Sequence, residues 1–308
     1  MKTIFMGTPD FAVPTLEILN EHTDLKLVVT QPDKKQGRGK KVVFSPVKDK
    51  ALELGVDIIQ PEIVKGKKFA SKIKEFEPDL IVTAAYGKLL GPSLLDVPIL
   101  GCLNVHASIL PRYRGAAPIN HAIINGEKEA GVSIMKTVLE LDAGDVYLIK
   151  KLEIGKSETA GELTKRLSQL GAAALLEVIL NFENIIPVKQ SDDNKSYASQ
   201  LLKIDGKIDW SKSARQIDCH IRGVNPWPGA YTLWGDKVVK IHKCEVLNTD
   251  ESSAPNPGEV IEHSKSGIDI SCGKGIIRVI NLQLPGKNAL TAKQFFSGTR
   301  VEQGTILV

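Results

Sequence analysis

Along the first half of the chain, short runs of consecutive apolar side chains alternate with stretches in which apolar positions recur at helical spacing. The runs Thr3–Met6, Leu25–Thr30, Val56–Ile59, Asp79–Ala85 and Gly101–His106 read as strands. Between them, Pro14–Leu19, Pro46–Leu54 and Phe69–Phe76 read as helices, the last with Phe69, Ile73 and Phe76 at i, i+4 and i+7. Strands without polar alternation are buried on both faces, as in a parallel sheet covered by helices on each side. Strand–helix alternation at this spacing predicts a doubly wound α/β sheet.

Further along, Arg114–Asn125 reads as a helix, and Val132–Val138 and Val146–Leu152 as strands flanking the turn Asp142-Ala143-Gly144-Asp145. The clearest helix is Ala160–Phe182. Thr159 and Glu162 stand at capping-box spacing before an apolar stripe of Leu163, Leu167, Leu170, Ala174 and Val178. The pattern then breaks: residues 189–205 are polar and aperiodic, and read as a linker between a domain at 1–188 and another at 206–308. Beyond it, Tyr231–Trp234, Val238–Cys244, Gly258–Glu262, Ile268–Ser271 and Ile276–Leu282 are short strand candidates among many glycines and prolines. Such spacing predicts a small closed or partly open β-barrel.

Composition adds bounds. At roughly 150 residues per domain, 308 residues fit two domains. An apolar content of 42% with 25% charged residues excludes disordered, collagen-like and disulfide-stapled classes. No apolar run approaches the roughly 18 residues of a membrane span, and the N-terminal run is too short for a signal peptide. Four cysteines without a CxxC pair fit reduced thiols in a cytosolic protein. The net charge of +4 decides little, but its distribution is informative. Lys34, Lys35, Arg38, Lys40 and Lys41 crowd one stretch with two glycines and no acid. A solvated loop is the plainer reading; a flexible positive finger suited to a phosphate backbone is the functional one.

The first strand-to-helix turn, Gly7-Thr8-Pro9-Asp10, lacks the glycine triplet of a dinucleotide fold, which disfavours a nicotinamide dehydrogenase. The densest polar segment, 103–115, follows an apolar strand, where open α/β sheets place ligands. Asn104 and His106, two residues apart on that strand, share a face. An amide donor beside an imidazole, without a serine or cysteine at that spacing, suits polarisation of a carbonyl. A hydrogen-bonded core histidine is the competing reading. Asp142 is either an ordinary turn former or a carboxylate that orients His106. Cys102 with His106, or His242 with Cys244, lack the paired spacing of zinc motifs, and a metal or thiol mechanism is disfavoured.

With these segments in view, the chain resembles the methionyl-tRNA formyltransferases along nearly its whole length. The resemblance rests on FMGTPDFAVP (5–14), QPDKKQGRGKK (31–41), AAYGKLL (84–90), NVHASILPRYRGAAPIN (104–120) and ELDAGDVY (140–147). In the second half it rests on IDWSKSARQID (208–218) and NPWPGAYT (225–232). Ile109, where the family often has leucine, is a conservative departure.

The resemblance implies an N-terminal Rossmann-like formyltransferase domain, with a mostly parallel sheet, and a C-terminal OB-like barrel that binds tRNA. It implies transfer of the formyl group of 10-formyltetrahydrofolate, without a metal, to the α-amine of methionyl initiator tRNA. Asn104, His106 and Asp142 match the catalytic triplet. Asn104 and His106 would stabilise the oxyanion, while Asp142 orients the imidazole and the proton transfers. Ser108, Ile109, Leu110 and Pro111 match the folate loop, flanked by Tyr86, Gly87, Leu89 and Leu90. Arg38 matches the key arginine of the acceptor-end insertion, with Lys34, Lys35, Lys40 and Lys41 around it. A cytoplasmic monomer without membrane contact is expected. Two alternatives stand beside this reading. One is a small-molecule formyltransferase or formyltetrahydrofolate hydrolase, disfavoured by the basic finger and second domain. The other is a non-catalytic nucleic-acid module, disfavoured by the even balance of 13 basic and 11 acidic residues in 205–308.

Overall fold

The structure, a computed structural model, describes residues 1–36, 41–249, 256–295, 297 and 301–308; of Lys35, Gln36 and Lys41 it describes the backbone alone. The chain divides into two compact units. The first comprises Met1–Pro118, Glu129–Glu153 and Thr164–Ser199; the second comprises Ile119–Lys128, Ile154–Leu163 and Gln200–Val308.

Up to residue 106 the elements are β1 (Lys2–Gly7), α1 (Val13–His22), β2 (Asp24–Val29), β3 (Lys34–Gln36), β4 (Lys41–Val43), α2 (Pro46–Leu54), β5 (Ile58–Ile59), α3 (Lys67–Lys74), β6 (Leu80–Ala84), α4 (Pro92–Leu95) and β7 (Cys102–His106). There follow β8 (Arg114–Gly115), α5 (Pro118–Ile124), β9 (Glu129–Lys136), β10 (Val146–Glu153), α6 (Ala160–Leu180) and β11 (Tyr197–Ala198). Seven strands form one sheet in the order β10-β9-β7-β6-β1-β2-β5. From β7 to β5 every pairing is parallel, and β9 and β10 extend it antiparallel. The apolar runs explain the burial: all five residues of β6 are buried, as are Ile4, Phe5 and Met6 of β1 and Leu27, Val28 and Val29 of β2. One face packs α3 through Phe69 and Ile73 onto Ile4, Met6, Ile81 and Cys102. This is the doubly wound, mostly parallel sheet expected from the sequence.

Two local readings differ. The helix expected from Arg114 begins only at Pro118, because Arg114 and Gly115 pair in parallel with Tyr197 and Ala198. Gly115, at φ +116°, is required there: a Cβ would stand 2.7 Å from the Ala198 carbonyl oxygen. Residues 189–199, read as linker, thereby fold with the first unit. The basic stretch is flanked by an antiparallel pair, Lys34–Gln36 with Lys41–Val43, while Arg38 and Lys40 lie outside the described residues.

The second unit contains α7 (Ala214–Gly223), β12 (Ala230–Trp234), β13 (Lys237–Asn248), β14 (Val260–Ser264), β15 (Gly267–Ser271), β16 (Ile276–Gln283), β17 (Leu290–Thr291) and α8 (Ala292–Phe295). Its antiparallel sheet runs β12-β13-β16-β15-β14, with β17 beside β16. The last residues of the chain close it. Val308 exchanges both hydrogen bonds with Leu233 of β12, while residues 304–307 bond Gly258 and Val260 at the β14 edge. Both edges are therefore paired, as a barrel requires. The helix α7 was not expected; Ser213 and Gln216 form its capping box.

Candidate active site

The candidate residues gather where β6 and β7 end. Asn104 and Thr83 are register partners on adjacent strands, and the Thr83 hydroxyl donates to Asn104 Oδ1 at 2.8 Å. With that oxygen engaged as acceptor, the NH2 of Asn104 is the part of the amide left to donate. His106 closes β7 and is 5% exposed. Its Nε2 lies 3.0 Å from the carbonyl oxygen of Tyr113. A carbonyl only accepts, so Nε2 carries a proton, and in the neutral ring Nδ1 is the basic nitrogen. Asp142, from the turn between β9 and β10, places Oδ2 3.7 Å from that Nδ1. The same oxygen accepts the Gly115 N–H at 2.8 Å. A proton arriving at Nδ1 would therefore face a carboxylate already held in place.

Backbone strain concentrates around this point. Ala85, Tyr113 and Asp142 have φ of +45°, +59° and +48°. Each lies on a loop bordering Asn104 or His106, and such conformations persist only where surrounding bonds over-determine them. Tyr113 is held by its N–H bond to Ser196 Oγ, and the 108–112 loop before it by Ser133 of β9. The Ser133 hydroxyl donates to the Ser108 carbonyl at 2.7 Å and accepts from Leu110 N at 3.2 Å. Ser108 Oγ in turn donates to the Arg112 carbonyl at 2.7 Å.

The residues read as folate-binding divide by exposure. Gly87 and Leu89 are exposed and Ile109 and Pro111 half-buried. Tyr86, Leu90, Leu110 and Ser108 are buried, with the Tyr86 ring in the core beside Ile4 and Ile81. Burial pushes the Tyr86 phenol up to about 12. The Tyr86 backbone, by contrast, is tied into the first unit: its carbonyl accepts from Thr8 Oγ1 and from Gln31 Nε2.

Residues 1–179 match the family model described as formyl transferase, and residues 200–300 match that of the formyl transferase C-terminal domain. A methionyl-tRNA formyltransferase of Clostridium novyi (strain NT) is 46% identical over 310 residues, spanning 100% of both chains. The chain belongs to the methionyl-tRNA formyltransferase family. Two solved structures share its fold at lower identity. A sugar 3N-formyl transferase, solved in the presence of dTDP and 5-N-formyl-THF, has a TM-score of 0.67 at 20% identity, covering 94% of this chain and 99% of that one. The methionyl-tRNA formyltransferase from Clostridium thermocellum has a TM-score of 0.58 at 16% identity, covering 89% and 100%.

The competing cysteine and zinc readings find no support in this formyltransferase. Cys102 is 1% exposed and burial pushes its thiol up to about 12, so it is protonated and sequestered at neutral pH. His242 Nε2 pairs with Gln283 Oε1 at 3.0 Å, and the Cys244 thiol donates to Asp218. Among the described residues no three His, Cys, Asp or Glu side chains form a metal-binding group. Nor is any helix among them long and apolar enough to cross a membrane. Of the finger, Lys34 is exposed; side chains of Lys35 and Lys41, and all of Arg38 and Lys40, lie outside the described residues.

Sequence reasoning passed over Thr83, Ser133, Arg114 and Gln190. Thr83 had a signal, being the one polar residue of the run Leu80–Ala84. Ser133 likewise sits alone among buried apolar neighbours on β9.

Proposed function

We propose that this protein transfers the formyl group of 10-formyltetrahydrofolate to the α-amine of methionyl initiator tRNA, giving N-formylmethionyl-tRNA. The observation that carries the proposal is the meeting of Asn104, His106 and the Asp142 carboxylate, 3.7 Å from the imidazole, at a strand end. When bound, 10-formyltetrahydrofolate supplies an activated formyl carbon. Asn104, its Oδ1 held by Thr83, presents its NH2 to the oxygen on which negative charge develops. His106 has Nε2–H committed to Tyr113, so it takes the proton shed by the attacking amine at Nδ1. From the protonated ring, Nδ1–H can support the oxyanion and then return the proton to the leaving nitrogen. Asp142 pairs with the imidazolium while that charge lasts.

The folate is held against Gly87, Leu89, Ile109 and Pro111, with Tyr86, Leu90, Leu110 and Ser108 as the rigid backing behind them. The tRNA acceptor end is gripped by the finger carrying Lys34, Lys35, Arg38, Lys40 and Lys41. Arg38 provides the planar, bidentate contact that lysine lacks. The region 206–308 is the second tRNA contact, and 1–188 the catalytic domain. The enzyme acts as a cytoplasmic monomer.

A formyl-transfer assay tests this with the full chain, 10-formyltetrahydrofolate and one of three acceptors: methionyl initiator tRNA, an amino-sugar nucleotide, or water alone. Formyl label is expected on the methionyl-tRNA. Release of formate at the same rate without tRNA, or transfer only to the amino sugar, would overturn the proposal. In the same assay Arg38→Lys should slow formylation of tRNA and leave folate affinity unchanged.

A further inference from the structure

The segment after α6 is polar enough to pass for a linker, yet both of its ends are bonded to the first unit. At one end Val188 exchanges both backbone hydrogen bonds, each 2.8 Å, with Val146, the first residue of β10. At the other, Ser196 accepts the Tyr113 N–H on its hydroxyl at 2.9 Å and the Arg114 N–H on its carbonyl at 2.9 Å. Tyr197 and Ala198 then pair with β8. What lies beneath this strap is the Asp142 turn.

Gln190 holds that turn by its backbone. Its Nε2 donates to the carbonyl oxygens of Asp142, at 2.8 Å, and of Gly144, at 2.7 Å. Its Oε1 accepts from Arg114 Nε and Nη2, at 3.2 and 2.9 Å. The Arg114 side chain is 2% exposed, and its Nη1 lies 3.4 Å from Glu140, two residues before Asp142. A buried guanidinium keeps its charge and needs every acceptor it can reach. One glutamine thus uses both hydrogens of its amide on the turn and its oxygen on the buried cation. Gly144 has no room for a side chain, since a Cβ would overlap the Lys136 carbonyl. The turn therefore sits close against β9, with Asp142 at φ +48°. The two bonds from Gln190, beside those of Gly115 N–H to the Asp142 carboxylate and of Lys136 N–H to the Asp145 carbonyl, offset the preference of that residue for negative φ.

We propose that residues 188–198 form a strap across the catalytic turn, in which Gln190, seated on Arg114, is a positioning residue for the Asp142 carboxylate. This rests on the catalytic part assigned above to Asp142. Gln190 touches no reacting atom. It fixes the backbone from which Asp142 Oδ2 reaches Gly115 N–H and the imidazole of His106. The chemistry explains the composition: Gln190 and Ser196, half-buried, turn their polar groups inward onto carbonyls, a guanidinium and backbone N–H groups, while residues 191–195 between them face solvent.

The test is a double-mutant cycle in the full-length enzyme, using Gln190→Ala, Asp142→Ala and the pair, read as single-turnover formyl transfer with KM for both substrates and melting temperature alongside. Gln190→Ala is expected to slow transfer about ten- to a hundredfold, with KM within about threefold of wild type. In the Asp142→Ala background the same substitution should cost less than about threefold, because the group it positions is gone. Equal losses in the two backgrounds, or no loss in the first, would overturn the proposal. Gln190→Glu guards against a misfolded variant. It keeps the acceptor for Arg114 and places an oxygen against two carbonyls, so it should melt like wild type yet transfer as slowly as Gln190→Ala. Wild-type transfer by Gln190→Glu would likewise overturn the proposal. If Asp142→Ala alone leaves transfer unchanged, the catalytic reading of Asp142 fails; if only Gln190→Ala is silent, the strap fails and that reading stands.

Discussion

In the second unit, the buried Trp210 Nε1–H donates to Thr232 Oγ1 at 2.9 Å, and Thr232 donates on to the carbonyl of Val308. Asp269 there receives two bonds from Arg278, each 2.7 Å. In the first unit, Thr83, His106, Ser108, Arg114 and Ser133 are buried as well, but their bonds run differently. Thr83 leads to Asn104, Arg114 leads through Gln190 to the Asp142 turn, and Tyr113 fixes the tautomer of His106. The pairs in the barrel end on each other or on its edge strand, and so stabilise the sheet. In the α/β unit the Thr83 bond ends on the amide oxygen of Asn104, leaving its NH2 to donate, and the Tyr113 carbonyl leaves Nδ1 of His106 to accept. Those of Ser108, Arg114 and Ser133 hold the loops beside them. Where a chain of buried bonds terminates, rather than burial itself, is what singles out Asn104 and His106 for the chemistry proposed above.

Substitutions at matched positions in the two units can break that comparison. The largest effect is expected for His106→Ala. Formyl transfer should fall by about 10²-fold or more, the scale of removing a charge-stabilising group from a preorganised site, with folate affinity little changed. Near-normal turnover of a folded variant would remove the imidazole from the mechanism. Thr83→Val comes next, since it keeps shape while losing the donor to Asn104 Oδ1. A loss of about fivefold in kcat, equivalent to one ordinary hydrogen bond of about 1 kcal/mol, is expected without a lower melting temperature. A drop in melting temperature with unchanged kcat would class Thr83 with the barrel residues.

The matching change in the second unit is Thr232→Val, which strands the buried Trp210 N–H, while the Val308 oxygen keeps its bond from Leu233 N–H. Denaturant unfolding should show a loss of about 1–3 kcal/mol, the cost of leaving a buried polar group unsatisfied. Turnover of the folded fraction should stay within about twofold of wild type. Slower turnover at unchanged stability would blur the distinction between the units.

Much of this was legible in the chain before the structure. Continuous apolar runs marked β1, β2, β6 and β7, because strands buried on both faces leave no other signature. The i, i+2 spacing alone put Asn104 and His106 on one face. That Asp142 reaches His106 was legible only through family resemblance, since it depends on the course of the turn between β9 and β10. Tyr86 was a fair candidate by sequence, yet an aromatic ring after an apolar strand serves equally well in the core, and there it lies. The strap was misread for a physical reason. Its partners are the backbone at 113–116, one arginine and the turn before β10, some forty to eighty positions away in sequence, and no local periodicity records such pairings. Likewise α7 was obscured by the surrounding prolines and glycines, although its capping pair Ser213 and Gln216 was in plain sight.

Asn104 is the point on which the comparison turns, as the buried bond from Thr83 ends on its amide. The most direct measurement is the single-turnover rate of formyl transfer to methionyl initiator tRNA by Asn104→Ala, with the folate dissociation constant determined on the same preparation. A rate lower by about 10²-fold or more, at a folate affinity within about threefold of wild type, is the expected result. An unchanged rate, or a loss accounted for entirely by weaker folate binding, would contradict the placement of the chemistry at the end of β7.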